Sequence, residues 1–117
     1  MATHNDTGIR GEKIATTYLQ KKGFTIRARN YRFKKAEVDI IAQIGNLLVF
    51  VEVKTRATNK YGYPEEFVSQ KKAELFLLAA EEYIYQHGWQ HDIRFDILSV
   101  TTSGQAVQVH HIEDAFH

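Results

Sequence analysis

The sequence predicts an α/β domain in which a central mixed sheet is flanked by helices. Two segments carry apolar residues at helical spacing, and each ends at a glycine, Gly23 or Gly88. Runs rich in valine and isoleucine lie between and after these segments, with turn residues separating the runs. The predicted order is therefore helix, three strands, helix and two strands. The 117 residues suffice for one compact domain, 1–117.

The composition is that of a soluble globular protein, with 44% hydrophobic and 25% charged residues. The chain has no cysteine, which excludes disulfides, thiolate metal sites and cysteine nucleophiles. No apolar run approaches the roughly 18 residues that span a bilayer. The first residues also lack the basic and apolar regions of a signal peptide. We therefore expect a cytoplasmic protein that does not enter a membrane.

The first helix is predicted over residues 8–22 because its apolar residues recur at helical spacing. Gly11 and Ala15 are four residues apart, so this helix can lie close to the surface that it covers. Residues 24–32 alternate between apolar and polar types and predict the first strand. The lysine pair at 34–35 is interpreted as the turn that follows it.

The second and third strands, 37–43 and 47–55, are the clearest pair in the sequence. Both are rich in valine and isoleucine, and Gly45-Asn46 separates them. Two residues of this type between two strand patterns predict a tight hairpin.

The second helix is predicted over residues 66–87, after a loop. Its buried stripe is expected to comprise Val68, Leu75, Phe76, Ala79 and Tyr83. A strand over 93–100, a turn over 102–104 and a final strand over 106–111 complete the prediction.

The hairpin register places four charged residues in two opposed pairs. Asp39 falls opposite Glu52, and Glu37 falls opposite Lys54. Because strand side chains alternate with a period of two, regular strands would put all four on one face. That face also carries apolar side chains, so we expect it to be covered.

Two carboxylates that oppose each other on a covered face repel each other and resist desolvation. Protonation, neutralisation by a lysine or a hard cation would relieve the repulsion. Glu12 lies beside the buried stripe of the first helix, and Lys72 lies on that of the second. Convergence of Glu12 with Asp39 and Glu52 would form an oxygen-rich site suited to Mg²⁺ or Mn²⁺. A structural cluster of ion pairs is the alternative.

Such a site has the parts needed for phosphodiester hydrolysis. A hard dication held by carboxylates binds a phosphate oxygen and lowers the pKa of water. Lys54 lies two residues after Glu52, within reach of that water or of the developing charge. Residues 21–35 add seven basic residues and no acid, as in a phosphate-binding surface. On charge alone, however, an ordinary solvated face is the better interpretation.

The charged residues of the hairpin resemble the motif of a known superfamily. Asp39, twelve intervening residues and then Glu52-Val53-Lys54 form a pattern similar to that of PD-(D/E)xK nucleases. The wider chain resembles the YraN-like family of bacterial nuclease-like proteins, which are distantly similar to archaeal Holliday junction resolvases. The matching segments are Gly11-Glu12, Glu37 to Ile41, Val49 to Arg56, Gly62 to Lys72, Arg94 to Asp96 and Ile112 to Phe116. Ala36 stands where the family usually has glycine.

The resemblance implies a restriction-endonuclease-like core with an active site on it. It makes Asp39 and Glu52 metal ligands and Lys54 the catalytic lysine. Glu12 would complete the Mg²⁺ or Mn²⁺ site, and Glu37 is a further catalytic candidate. The candidate nucleic-acid contacts are Arg29, Arg32, Lys34, Lys35, Arg56 and Lys72.

The function that follows is a metal-dependent endonuclease acting on DNA, including branched or structured DNA. A homodimer is expected by analogy with resolvases, which pair to cut two strands. The alternative is a nuclease-fold module that binds nucleic acid or a protein partner without turnover.

Overall fold

Five strands form one sheet in the order in which they follow along the chain. The computed structural model describes residues 4–56, 69–103 and 105–116, and only the backbone of 4–8. The strands are β1 (Thr25–Phe33), β2 (Ala36–Ile44), β3 (Leu47–Arg56), β4 (Asp92–Ser103) and β5 (Ala106–Ile112). The β3 and β4 strands are parallel, whereas the other neighbours are antiparallel. The predicted mixed α/β fold and element order are confirmed.

Two helices, α1 (His4–Lys21) and α2 (Gln70–His87), cover opposite faces of this sheet. Ala15 and Leu19 of α1 pack on one apolar cluster, and Phe76 of α2 packs on the other. Helix α2 connects the parallel strands β3 and β4, as parallel neighbours require. Within the described ranges, neither helix combines the length and apolarity that crossing a bilayer demands.

The helix boundaries differ from the prediction at their amino ends. Helix α1 begins at His4 rather than at residue 8, and no proline in this segment prevents the helix from extending. Helix α2 begins at Gln70 behind the N-cap Ser69 and ends at Gly88 with φ 59°, as a C-terminal glycine predicts. Val68, which we predicted in the buried stripe of this helix, lies outside the described residues.

The last hairpin is longer than predicted. Thr102 and Ser103, which we assigned to a turn, pair with Val107 and Ala106 as part of β4. The assignment was wrong because serine and threonine are common in turns, yet threonine also fits a paired strand well.

Leu75, Phe76, Ala79 and Tyr83 pack in one cluster, as expected for the α2 stripe.

The β2–β3 hairpin has the predicted register near its turn and then opens. Pairing runs from Ile44 opposite Leu47 to Ile40 opposite Val51, where it ends. Beyond that point, the carboxylate of Asp39 accepts a hydrogen bond from the Val53 backbone N–H at 2.8 Å. A carbonyl of the partner strand accepts this bond in a regular ladder. Asp39 therefore stands where the two strands part.

The alternation of β2 also shifts at Asp39. Ile40 packs on the α1 side of the sheet, whereas Val38 packs on the α2 side. Residues two apart share a face in a regular strand, so one residue here breaks the pattern. On β1, Asn30 lies at the matching level and has φ 53°. Both strands thus carry an irregularity beside the proposed site.

Glu37 has a different partner from the one that the hairpin register predicts. Its carboxylate pairs with Arg32 on β1 at 2.7 Å rather than facing Lys54. Although β2 does not keep regular alternation, Glu37, Asp39, Glu52 and Lys54 still line one cavity. The difference from the prediction is that Glu37 pairs with Arg32, whereas Lys54 pairs with Glu52.

Gly11 brings α1 close to the end of β3. A side chain at this position would overlap that of Thr55. The predicted close approach of this helix is therefore confirmed, and it sets the adjacent Glu12 near the irregular strands.

Candidate active site

A cavity of about 450 Å³ opens where β2 and β3 part, beside the first turns of α2. Asp39, Glu52 and Lys54 line it, so the three residues predicted from hairpin register do come together. Lys35 and Lys72 also line it. Glu37 lines it as well, so the cavity combines three acids with three lysines at an opening of the sheet.

Glu52 is the best-connected charge in this cavity. Its side chain is only 8% exposed, and one of its oxygens, Oε1, accepts from two ammonium groups. Lys72 Nζ lies 2.5 Å from that oxygen, and Lys54 Nζ lies 3.5 Å from it. These two contacts compensate for the loss of water around the buried Glu52 side chain.

Asp39 is in a different electrostatic state. Burial, followed by the negative charge of Glu52, raises the pKa of Asp39 to about 7. The hydrogen bond from Val53 N–H opposes this rise, whereas Glu37 and Glu12 add to it. Near neutral pH, Asp39 therefore exchanges its proton readily, and a cation in the cavity would favour its ionised form.

The two lysines on Glu52 are perturbed in opposite directions. Burial, together with the neighbouring Lys72, lowers the pKa of Lys54. Burial alone would also lower the pKa of Lys72, but its hydrogen bonds to Glu52 and Lys54 outweigh burial and raise that pKa. Lys54 is thus the lysine that more readily becomes a neutral amine.

The substitution Asp39→Asn is expected to stabilise the protein at pH 8 in EDTA, by roughly 1 to 4 kcal/mol. Asparagine keeps an acceptor for Val53 N–H but removes the repulsion with Glu52. Because the folded pKa of Asp39, about 7, lies above the ordinary 3.8, the folded state holds more protons between these values. Wild-type stability therefore falls as pH rises through this window, and the variant's advantage grows.

Urea unfolding at several pH values measures this difference. Asp92→Asn, at an exposed acid in β4, is the matched control and should change stability by less than about 0.5 kcal/mol. Loss of stability in Asp39→Asn at pH 8 would favour the structural ion-pair cluster instead.

Glu12 lines a different cavity from the one that Asp39 and Glu52 line. Its carboxylate accepts from Asn30 Nδ2 at 2.9 Å, and both residues line a second cavity of about 450 Å³ with Lys13 and Arg29. Among the residues that the structure describes, no three acid or histidine side chains lie close enough to hold one metal ion. The predicted convergence of three acids is thus not seen in this structure, because Asn30 holds Glu12 on the α1 side.

Asp39 and Glu52 nevertheless fit a hard divalent cation. Both supply carboxylate oxygens, and the pKa of Asp39 is raised by burial and then by the negative charge of Glu52, which a cation would offset. Mg²⁺ usually takes one or two protein carboxylates and keeps several waters. Two acids facing one open cavity therefore suffice as its protein ligands.

The six basic residues predicted to contact nucleic acid fall in several places. Lys35 and Lys72 line the cavity of Glu52, and Arg29 lines that of Glu12. Arg56 ends β3 beside Thr101 of β4.

The rest of the basic stretch lies along the edge strand and its turn. Arg32 has a side chain that is 75% exposed, although it pairs with Glu37, and Lys34 sits in the turn with φ 57°. Arg27 lies 5.5 Å from the ring centres of both Tyr83 and Trp89. Arg27 is thus engaged in packing against aromatic rings.

A second charged cluster was only partly foreseen from sequence. Asp96 is fully buried and accepts two hydrogen bonds of 2.8 Å from Arg94. His111 Nε2 lies 2.7 Å from Asp96, and Asp114 donates its backbone N–H at 3.0 Å. The two-residue spacing of Arg94 and Asp96 indicated their pair, but no local signal links them to His111.

The sequence comparisons identify relatives along the whole chain. Residues 11–100 match the model of a family described as "Uncharacterised protein family UPF0102". The chain belongs to the UPF0102 family. A UPF0102 protein of Flavobacterium psychrophilum is 45% identical, with 100% of this chain and 98% of the relative aligned. One from Geobacter metallireducens is 41% identical over 99% and 97% of the two chains.

Membership in UPF0102 confirms the resemblance to the YraN-like family. A UPF0102 protein of Cytophaga hutchinsonii is also 45% identical, over 92% of this chain and 93% of its own. The UPF0102 match contains Glu12, Asp39, Glu52, Lys54 and Lys72. The candidate site therefore lies wholly inside the segment that matches the family.

Proposed function

We propose that this protein is a metal-dependent endonuclease that hydrolyses DNA phosphodiester bonds, including those of branched or structured DNA. The observation that carries the proposal is the shared cavity of Asp39, Glu52 and Lys54 at the opening of the β2–β3 hairpin. Buried acids, a raised acid pKa and a lysine of lowered pKa in one open cavity are typical of catalytic sites.

Asp39 and Glu52 would hold Mg²⁺ or Mn²⁺, and Glu12 is the proposed third acid. When bound, the cation supplies positive charge to phosphate oxygens and lowers the pKa of water. Asp39 is fixed for this role by its bond to Val53 N–H, which orients the carboxylate without adding a competing charge. Glu12 would act from the neighbouring cavity, where its charge already raises the pKa of Asp39.

Lys54 is the proposed proton-handling group. Its Nζ lies 3.5 Å from Glu52, and its pKa is lowered, so it can take or orient the proton of an attacking water. In its charged form, the same atom would stabilise charge that develops on the phosphate. Glu37 lines the cavity but pairs with Arg32, so we assign it no proton transfer.

DNA would approach over the basic side of the site. Lys35 lies inside the cavity, while Arg29, Arg32 and Lys34 continue along the β1 edge and its turn. Arg56 would contact phosphate from the end of β3. Such contacts position the DNA backbone without reading the base sequence.

Two copies of the protein would be needed to cut two DNA strands together, and this is the basis for a proposed homodimer.

The test is cleavage of junction, flap, single-stranded and duplex DNA with Mg²⁺ or Mn²⁺. The wild type should cut at least one substrate, whereas Glu52→Ala and Lys54→Ala should not. Equal cleavage by all three proteins would contradict the mechanism and indicate a contaminating nuclease. DNA binding without cleavage by the wild type would instead identify a binding module that lacks turnover.

A further inference from the structure

The first turn of α2 directs a lysine onto the buried acid of the candidate site. Lys72 Nζ lies 2.5 Å from Glu52 Oε1. Lys54 Nζ lies on the same oxygen at 3.5 Å. A cation ligated by this oxygen would therefore compete with an ammonium group for the same lone pairs.

The position of Lys72 in its helix is locally unfavourable. Helix α2 has no acid in its first turn, and Lys71 and Lys72 follow directly on Gln70. The amino end of a helix carries partial positive charge, which disfavours lysine there. Ser69 caps this turn by accepting from the Lys72 backbone N–H at 3.1 Å, but that bond does not use the Lys72 side chain. The contacts of the ammonium group in the cavity offset this local cost.

Charge balance indicates which group must leave when a cation enters. Around Glu52, the carboxylates of Glu52 and Asp39 are matched by the ammonium groups of Lys54 and Lys72, whereas Glu37 is matched by Arg32. A divalent cation would leave these four side chains with a surplus of two positive charges at short range. Releasing one lysine reduces that surplus. Lys72 forms the shorter ion pair, but its side chain is 42% exposed against 22% for Lys54, so Lys72 is the lysine that can turn towards solvent.

We propose that Lys72 is a positioning residue that holds the Glu52 carboxylate in place. A divalent cation that binds Glu52 then displaces the Lys72 ammonium group. The inference rests on the proposed function, since it takes Glu52 as a metal ligand. It goes further by assigning to Lys72 an exchange with the cation in place of the nucleic-acid contact expected from sequence. The exchange makes cation affinity, and not folding, the property that Lys72 controls.

Calorimetric titration of Mn²⁺ without DNA tests the exchange. Lys72→Met keeps the aliphatic length but removes the competing charge, so it should bind Mn²⁺ roughly tenfold more tightly than the wild type. Lys71→Met, at the exposed neighbour in the same turn, is the control and should stay within about twofold of the wild type. Unchanged or weaker binding by Lys72→Met would overturn the exchange.

Acetylation of lysines on the wild-type protein provides a second measurement that needs no variant. With acetic anhydride and mass spectrometry, Mg²⁺ should increase modification of Lys72 several-fold and leave Lys71 unchanged. Protection of Lys72 that persists in saturating Mg²⁺ would overturn the proposal. If none of the proteins binds Mn²⁺, the proposed nuclease function fails as well. If all bind it equally, only the exchange fails.

Discussion

Asp96→Asn is expected to lower the free energy of unfolding by about 3 to 5 kcal/mol. Asp96 is fully buried, and every donor around it points at a carboxylate: two from Arg94, the backbone N–H of Asp114 and the ring of His111. An asparagine amide would turn an N–H₂ group towards one of these donors. It would also leave the Arg94 guanidinium without its buried counterion.

The effect should depend on pH with a definite sign. Burial raises the pKa of Asp96, but the bonds from His111 and Arg94 outweigh burial and hold it below the usual 3.8. This contribution is therefore fully present above about pH 4 and is lost as pH falls through the lower folded value. The stability difference between wild type and variant should narrow at acid pH.

Glu113→Gln is the matched control for this experiment. Glu113 also pairs with Arg94, at 3.0 Å, but its side chain is 56% exposed. An exposed pair of this kind contributes at most about 1 kcal/mol. Chemical denaturation should therefore separate the two variants clearly. Equal losses from Asp96→Asn and Glu113→Gln would contradict a dominant role for the buried cluster.

Lys54→Met is expected to reduce the rate of DNA cleavage by at least a factor of about 10² to 10³, with the fold retained. Methionine preserves the aliphatic packing of the side chain but removes the nitrogen that would handle the proton of water. Lys71→Met, at an exposed lysine outside the cavity, should cut at the wild-type rate. Single-turnover cleavage measures the chemical step in all three proteins. Cleavage by Lys54→Met at the wild-type rate would show that Lys54 takes no part in the mechanism.

The pH profile of wild-type cleavage provides a further readout of the same site. Because the pKa of Asp39 is raised to about 7, a proton competes with the cation below that pH, and the rate should fall there. Higher Mg²⁺ concentrations should move this acidic limb to lower pH. If the pH of the acidic limb does not change with the Mg²⁺ concentration, Asp39 is not a ligand of the cation.

The hairpin was predictable because its signals are local. Gly45-Asn46 sets the turn, and the turn sets the register that brings Asp39 near Glu52. The opening of the same hairpin was not predictable, since it depends on a side-chain carboxylate replacing a backbone acceptor for Val53 N–H. Regular alternation was assumed, and it failed at Asp39.

The contacts between distant elements were also beyond local patterns. Helical spacing placed Glu12 and Lys72 towards the sheet, but it could not show which groups they would meet. Glu12 meets Asn30, whose positive φ depends on the irregular pairing of β1 with β2. Lys72 meets Glu52, because α2 begins beside the opening between β2 and β3.

The central claim is that Asp39 and Glu52 bind one divalent cation at the opening of the hairpin. Anomalous diffraction from a crystal soaked in Mn²⁺ tests this most directly. We predict a single strong peak within ligand distance of both carboxylates, with the Lys72 ammonium moved off Glu52. A saturating soak that gives no peak in this cavity, and leaves Lys72 on Glu52, would contradict the account.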